Sequence, residues 1–320
     1  MAVSTAPGSP YPIVTVLGQK SYNQLGITDA HNHVWIEPVP GASVESPVLN
    51  QYDQILEELV EYLQQGGSSL LDCQPGGCGR DANKLVKLSR TSGVNIIACT
   101  GFHRRKYYAS GFWLWEVEAQ NVSDFLCSEL RDGLIETIGL PTACRAGFIK
   151  IALEATWAEC PQAALEGTAS AARDTRALVE IHTERGALAE IAYQYFEDRD
   201  VLPHQLVFCH MDKRPDFNLH QAMAKLGVLL EYDTFYRPMY EPDSKLWPLL
   251  DQMISAGYSG SIALATDMAE AALYHNLGGG PGLMSLPGAI QKKLTERGYA
   301  ENVRMQLLGG NISRRLAGII

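Results

Sequence analysis

Residues 28–35 read TDAHNHVW, an apolar run in which Asp29, His31 and His33 stand where a buried strand would carry Val or Ile. Side chains alternate across a strand, so His31 and His33 point to one face. Seven more runs rich in Val, Ile and Leu follow, at 69–73, 94–100, 147–153, 177–182, 205–210, 228–233 and 261–267. Segments with apolar residues at helical spacing separate them: 53–65, 81–91 with Asp81 as its cap, 122–134, 162–176, 185–198, 219–226 and 244–256. Runs apolar on both faces that alternate with helices specify a parallel sheet covered on each side. In a chain of 320 residues, eight such units close into an α/β fold, the (β/α)8 TIM-type barrel. An open doubly wound sheet is the alternative that the pattern leaves. Residues 1–320 read as one barrel domain with a short N-terminal extension and terminal helices after Pro287.

Composition narrows the function. Hydrophobic residues make up 46% and charged residues 19%, a globular balance. A formal net charge of -10 opposes a phosphate backbone, so no nucleic-acid partner is expected. The opening MAVSTAPGSP has neither the basic nor the apolar region of a secretory signal. No apolar run is long enough to span a membrane. Seven cysteines, an odd number without CxxC spacing, fit free thiols in a reducing cytosol. Cys73, Cys99 and Cys209 lie in apolar runs and read as inert core residues.

The polar residues gather at the ends of the runs. ALVEIH ends in His182, QLVFCH in His210 and SIALATD in Asp267, while GFIKIAL carries Lys150 inside. Active sites of such barrels lie at the C-terminal ends of the strands. Singly, each residue has a plain reading: a hydrogen-bonded core histidine, a lysine reaching to solvent, an aspartate capping the next helix. Together, four imidazoles, an amine and a carboxylate would be costly to bury without a metal. Imidazole and carboxylate suit zinc and related divalent ions. Lys150, a cation without a lone pair, fits such a site only if CO2 converts its amine to an anionic, bidentate carbamate. Otherwise it binds an anionic substrate or pairs with a carboxylate such as Glu154.

In this order the residues resemble the phosphotriesterase family of the amidohydrolase superfamily. The likeness runs from VTVLG and LGITDAHNH through GRDANKLVKLSRTSGVNIIACTG, AGFIKIALE, EIHTERG, FCHMDKRPD and ALATDM, nearly the whole chain. The resemblance implies a single catalytic domain with a binuclear centre. His31, His33 and Asp267 would hold the buried ion, and His182 and His210 the more exposed one. Carboxylated Lys150 and a hydroxide would bridge them, with Asp267 as proton acceptor. The ions would be Zn, with Mn or Co as alternatives. Asn32 replaces the Glu often found between the first two histidines.

Thr234 stands where the organophosphate-hydrolysing members carry a His, and HMDKRPD, EYDTFYRP and GGGPG resemble a branch that hydrolyses sugar lactones, including phosphorylated ones. Loops at the expected rim are basic: GFHRRKYY, then Lys213 and Arg214, then Arg237. Arg forks suit carboxylate or phosphate. The expected substrate is therefore a small anionic lactone held by Arg104, Tyr107, Lys213 and Arg237. The alternative is an amide or phosphoester hydrolase on the same centre. The free thiols imply a cytoplasmic protein and the resemblance a homodimer, with GFWLWE, carrying Trp113 and Trp115, as a candidate contact, a pocket wall or packing beneath a loop.

Overall fold

Two short strands, β1 (Ile13–Thr15) and β2 (Gly18–Lys20), form an antiparallel hairpin ahead of eight parallel strands. These are β3 (Ile27–Asn32), β4 (Gly67–Asp72), β5 (Asn95–Gly101), β6 (Phe148–Ala152), β7 (Val179–His182), β8 (Leu206–Cys209), β9 (Leu229–Tyr232) and β10 (Ile262–Leu264). Each pairs with the next in sequence order. The molecule is seen in a computed structural model that describes residues 11–141 and 143–319; the expected N-terminal extension lies outside them. Helices α1 (Tyr52–Gln64), α2 (Ala82–Ser92), α3 (Ala119–Arg131), α4 (Gln162–Thr175), α5 (Ala189–Glu197), α6 (Phe217–Lys225) and α7 (Leu246–Ser255) connect the strands. Short helices α8 (Gln291–Glu296), α9 (Glu301–Met305) and α10 (Asn311–Leu316) end the chain. Every expected run forms a strand and every expected helical segment a helix, with Asp81 capping α2 through Asn83 N and Lys84 N.

Several strands stop short of the expected runs, and the reason lies in the site. His210 and Asp267 take φ values of 62° and 45°, which end the extended ladder and turn their side chains inward. Alternation then sorts the interior into layers. Phe148, Val207, Leu229 and Ala263 fill the base with Leu71 and Ile97, closed by Ile13 and Ile312. Above them lie Lys150, Glu180, Cys209 and Glu231; His182, Asp233 and Asp267 follow at the mouth. Gly101 allows the approach of β5 to β6, since a Cβ there would lie 1.8 Å from the Lys150 carbonyl oxygen.

The barrel closes between β10 and β3 through side chains as well as backbone. Asp267 N donates to His31 O at 3.1 Å. Asp29, fully buried, accepts from Thr266 N at 3.1 Å, Thr266 Oγ1 at 2.5 Å, Asn32 Nδ2 at 3.0 Å and His31 N at 3.3 Å. Burial pushes its pKa up to about 7. Asp29 is thus the clasp that holds the His31 strand against the Asp267 strand. Replacing it by alanine orphans buried donors, and we expect Asp29→Ala to cost about 1–3 kcal/mol. Urea titration checks this; an unchanged midpoint contradicts the clasp.

Candidate metal centre

The six ligand-type residues singled out above meet at the C-terminal mouth of the barrel. Lys150 Nζ lies 3.0 Å from His31 Nε2. Asp267 Oδ1 is 3.9 Å from Nε2 of both His31 and His33, and its Oδ2 is 3.9 Å from His210 Nδ1. His182 Nδ1 and His210 Nε2 face each other at 2.8 Å. His31, His33, Lys150, His210 and Asp267 are buried, and only 13% of the His182 side chain is exposed.

The outer nitrogens of three of these rings meet acceptors, which fixes their tautomers. Gln74 Nε2 donates to Cys78 O, so its Oε1 faces His33 Nδ1 at 2.7 Å and leaves His33 Nε2 with a lone pair. Asp233 Oδ2 accepts from His210 Nδ1 at 2.6 Å, and Glu184 Oε1 from His182 Nε2 at 3.2 Å. The facing nitrogens of His182 and His210 therefore both present lone pairs, a repulsive arrangement that calls for a cation. Burial lowers the pKa of His33 and of His182 to about 4, and pushes those of His31 and His210 well below the ordinary range. Neutral imidazoles are the form that binds metal. Of three donor groups among the described residues whose composition and spacing suit an ion, two lie at the mouth: His31, His33 and Asp267, and His210, Asp233 and Asp267.

The centre opens into a cavity of about 660 Å³. His33, His182 and Asp267 floor it; Tyr107, Lys213 and Arg237 line it, with Glu37, Glu270, Tyr236 and Tyr240. Arg237 Nη2 donates to Asp267 O at 2.9 Å, and Nη1 pairs with Glu270 at 3.2 Å. Burial works against the Lys213 charge, yet the facing carboxylates of Asp233 and Asp267 hold its pKa above the ordinary value.

Arg104 is placed differently. Its guanidinium pairs with Glu154 at 3.1 Å and Glu184 at 2.6 Å, and it is not among the lining residues. Glu154, suggested above for Lys150, is thus taken by Arg104. Arg105 stacks on Trp115, Lys106 on Tyr107, and Arg214 pairs with Glu190. Trp115 packs edge-on against Phe102 and Tyr108, and Trp113 against Phe125; neither lines the cavity.

Sequence reasoning passed over Gln74, Glu180, Glu184, Glu231 and Asp233, and took His103 only as part of a basic rim loop. His103 lies in the cavity wall, its ring 5.0 Å from that of His182. Glu180 stands two residues before His182, and Glu231 two before Asp233, so period-2 alternation would have placed them inside. Cys73 and Cys209 also face this polar interior: Cys73 Sγ donates to Glu180 Oε2 at 2.9 Å, and Lys150 Nζ is 4.0 Å from Cys209 Sγ. Burial raises the pKa of both thiols, and their neighbours are ionisable rather than apolar.

A family model described as Phosphotriesterase family matches residues 12–316. An uncharacterized protein of Mycoplasma pneumoniae is 32% identical over 72% of this chain and 69% of its own length. A phospho-furanose lactonase of Mycoplasmopsis synoviae is 27% identical, covering 82% of this chain and 78% of its own. The crystal structure of an amidohydrolase from Mycoplasma synoviae superposes with a TM-score of 0.86 at 26% identity, over 96% of this chain and 92% of that one.

Removing an acceptor behind a ligand histidine is expected to weaken metal binding about 10–100-fold. Asp233→Asn, titrated against a chelator, tests this; unchanged affinity contradicts the role. In metal-free protein, His33 and His182 should stay neutral until the pH falls to about 4. Ring resonances followed by NMR check this, and titration near 6.5 would contradict it.

Proposed function

The chain belongs to the phosphotriesterase family, and on that premise we propose that it is a metal-dependent lactonase acting on a small anionic sugar or sugar-phosphate lactone. One observation carries the reading: the donor cage and two cations, Lys213 and Arg237, share one cavity. Its volume suits a small ligand. The name of the Mycoplasmopsis synoviae relative supports the substrate class.

His31, His33 and Asp267 would hold the buried ion, and His182 and His210 the outer one. Lys150, carboxylated on Nζ, would bridge. A pair of divalent ions, Zn with Mn or Co as alternatives, supplies ionised water near neutral pH and polarises the carbonyl. The four neutral imidazoles keep their lone pairs turned inward. Lys213 and Arg237 take the anionic group of the substrate, fixing the ring over the cage, and Tyr107 closes one side. Asp267 accepts the proton of the attacking water and hands it to the ring oxygen as its bond to the carbonyl carbon breaks. Water and lactone thus become one hydroxy acid. Arg104, paired with Glu154 and Glu184 and absent from the cavity lining, is left out of these proposed contacts. The protein works as a single catalytic domain, in the cytoplasm, as a homodimer. Among the described residues no helix is long and apolar enough to cross a membrane.

A panel of lactones, N-acyl amino acids and aryl phosphoesters tests the class. The lactones should be turned over fastest; faster amide or phosphoester hydrolysis would replace the reading. Lys213→Ala should raise KM for a phosphorylated lactone roughly 10–100-fold, as expected for one charge-assisted contact, and change a neutral lactone little. Equal effects on both would remove Lys213 from anion binding. Lys150→Ala should lower metal content and abolish hydrolysis; full activity would refute bridging.

A further inference from the structure

The cavity holds a charge that the hydrolysis proposed above does not use. Glu37, on the loop that joins β3 to α1, lines the same cavity as Lys213 and Arg237. Trp35 Nε1 donates to its Oε1 at 3.0 Å, and Asn50 Nδ2 to its Oε2 at 3.3 Å. Both donors are neutral, and no Lys, Arg or His among the described residues pairs with Glu37. Glu270 differs, because Arg237 pairs with it at 3.2 Å. An uncompensated carboxylate in the wall of a pocket for an anion works against binding, unless the substrate turns a different face toward it.

The protein fixes this carboxylate in place. Ile36 and Leu49 exchange backbone hydrogen bonds, both at 2.9 Å, which close the base of the loop. Glu37 N donates to Gly79 O at 2.8 Å. Gly79 packs so closely that a Cβ there would lie 2.6 Å from Glu37 O. An ionised carboxylate offers about four lone-pair sites, and the protein fills one on each oxygen, so each oxygen can still accept. Ser46, on the return arm of the loop, also lines the cavity, and its buried Oγ has no partner among the described residues. It is a second polar group that this loop leaves for a ligand to satisfy. In the ring of strands, β9 and β10 separate β3 from β8 on one side, and β4 to β7 separate them on the other. Glu37 and Lys213 follow β3 and β8, so they stand on different sides of the mouth.

We propose that Glu37 is a specificity-determining residue that accepts hydrogen bonds from two hydroxyls on adjacent carbons of the substrate ring, one to each oxygen. The two oxygens of a carboxylate are spaced to meet such a pair, and a hydroxyl bonded to an anion makes a stronger hydrogen bond than one bonded to a neutral acceptor. The anionic group of the substrate then points to Lys213 and Arg237. The reverse pose is rejected, because it sets like charges together and leaves the hydroxyls facing cations that cannot accept from them. A site built to bond hydroxyls also discriminates against the analogue that lacks them. The assignment rests on the reading of this cavity as a site for an anionic lactone, and it adds which end of that lactone goes where.

The test uses full-length, metal-loaded protein and two phosphorylated five-membered cyclic ethers, one with a pair of adjacent ring hydroxyls and one without. Lacking a carbonyl, neither is cleaved, so calorimetry reads their affinities directly; hydrolysis of the matching lactones is followed in parallel. The dihydroxy ether should bind about 10–100-fold more tightly, as expected for hydrogen bonds to a charged group. Glu37→Ala should bring the two affinities within about threefold, whereas a general disturbance of the pocket would weaken both alike and keep the gap. Equal affinities in the unmodified chain, or binding of neither ether, overturn the assignment, and so does a gap that survives Glu37→Ala. A gap that closes in the variant while neither lactone is hydrolysed supports Glu37 and defeats the lactonase reading. Hydrolysis of the lactones without any gap does the reverse. Should Glu37→Ala fail to fold, Glu37→Asp, which keeps the charge but draws it back from the ring, should narrow the same gap, and an unchanged gap overturns the assignment.

Discussion

His182 Nδ1 and His210 Nε2 face each other at 2.8 Å while their other nitrogens are committed to Glu184 and Asp233. Two lone pairs held that close repel unless a positive charge lies between them. The same constraint recurs at His33, where Gln74 takes the outer proton and leaves Nε2 bare toward Asp267. Burying polar atoms without partners is expensive, so an arrangement repeated on several strands is coherent only with positive charge between them. The hydrolytic reading follows from that electrostatic demand, because the cations that answer it also activate water.

The fold enforces the demand. Asp29 locks the first barrel strand to the last, which sets His31 and His33 beside Asp267. His210 and Asp267 sit in the left-handed region of φ, where β-strand continuation is lost and the side chains swing over the mouth. Glu58 on α1 accepts from Asn276 N at 2.6 Å and Leu283 N at 3.1 Å, tying down the long segment after the last strand. Tyr274 in that segment donates to His33 O at 2.5 Å. Candidate ligands, supporting acids and covering loop are thus joined by hydrogen bonds.

Much of this was legible in the sequence because strands and helices have different periods. The eight apolar runs and the polar residues at their ends pointed to a barrel and to the rim where its chemistry lies. The supporting residues were harder to see. Gln74 sits in a loop whose path depends on the docking of its neighbours, and no local pattern points it at His33. Glu180 and Glu231 were visible in principle, being two positions before His182 and Asp233, but an acid inside an apolar run reads as an exception until the layer it belongs to is known. Arg104 and Lys213 look alike in sequence, each following a strand. Their surroundings separate them: Glu154 and Glu184 claim the first, whereas the second projects into the cavity.

The central claim is that His31, His33, Lys150, His182, His210 and Asp267 surround a pair of ions. A crystal structure of the zinc-loaded protein, with anomalous data collected at the zinc edge, tests it most directly. The account predicts two anomalous peaks at the barrel mouth, one beside His31 and His33 and one between His182 and His210, with added density on Lys150 joining them. A mouth without anomalous signal, with His182 and His210 sharing a proton instead, would contradict it.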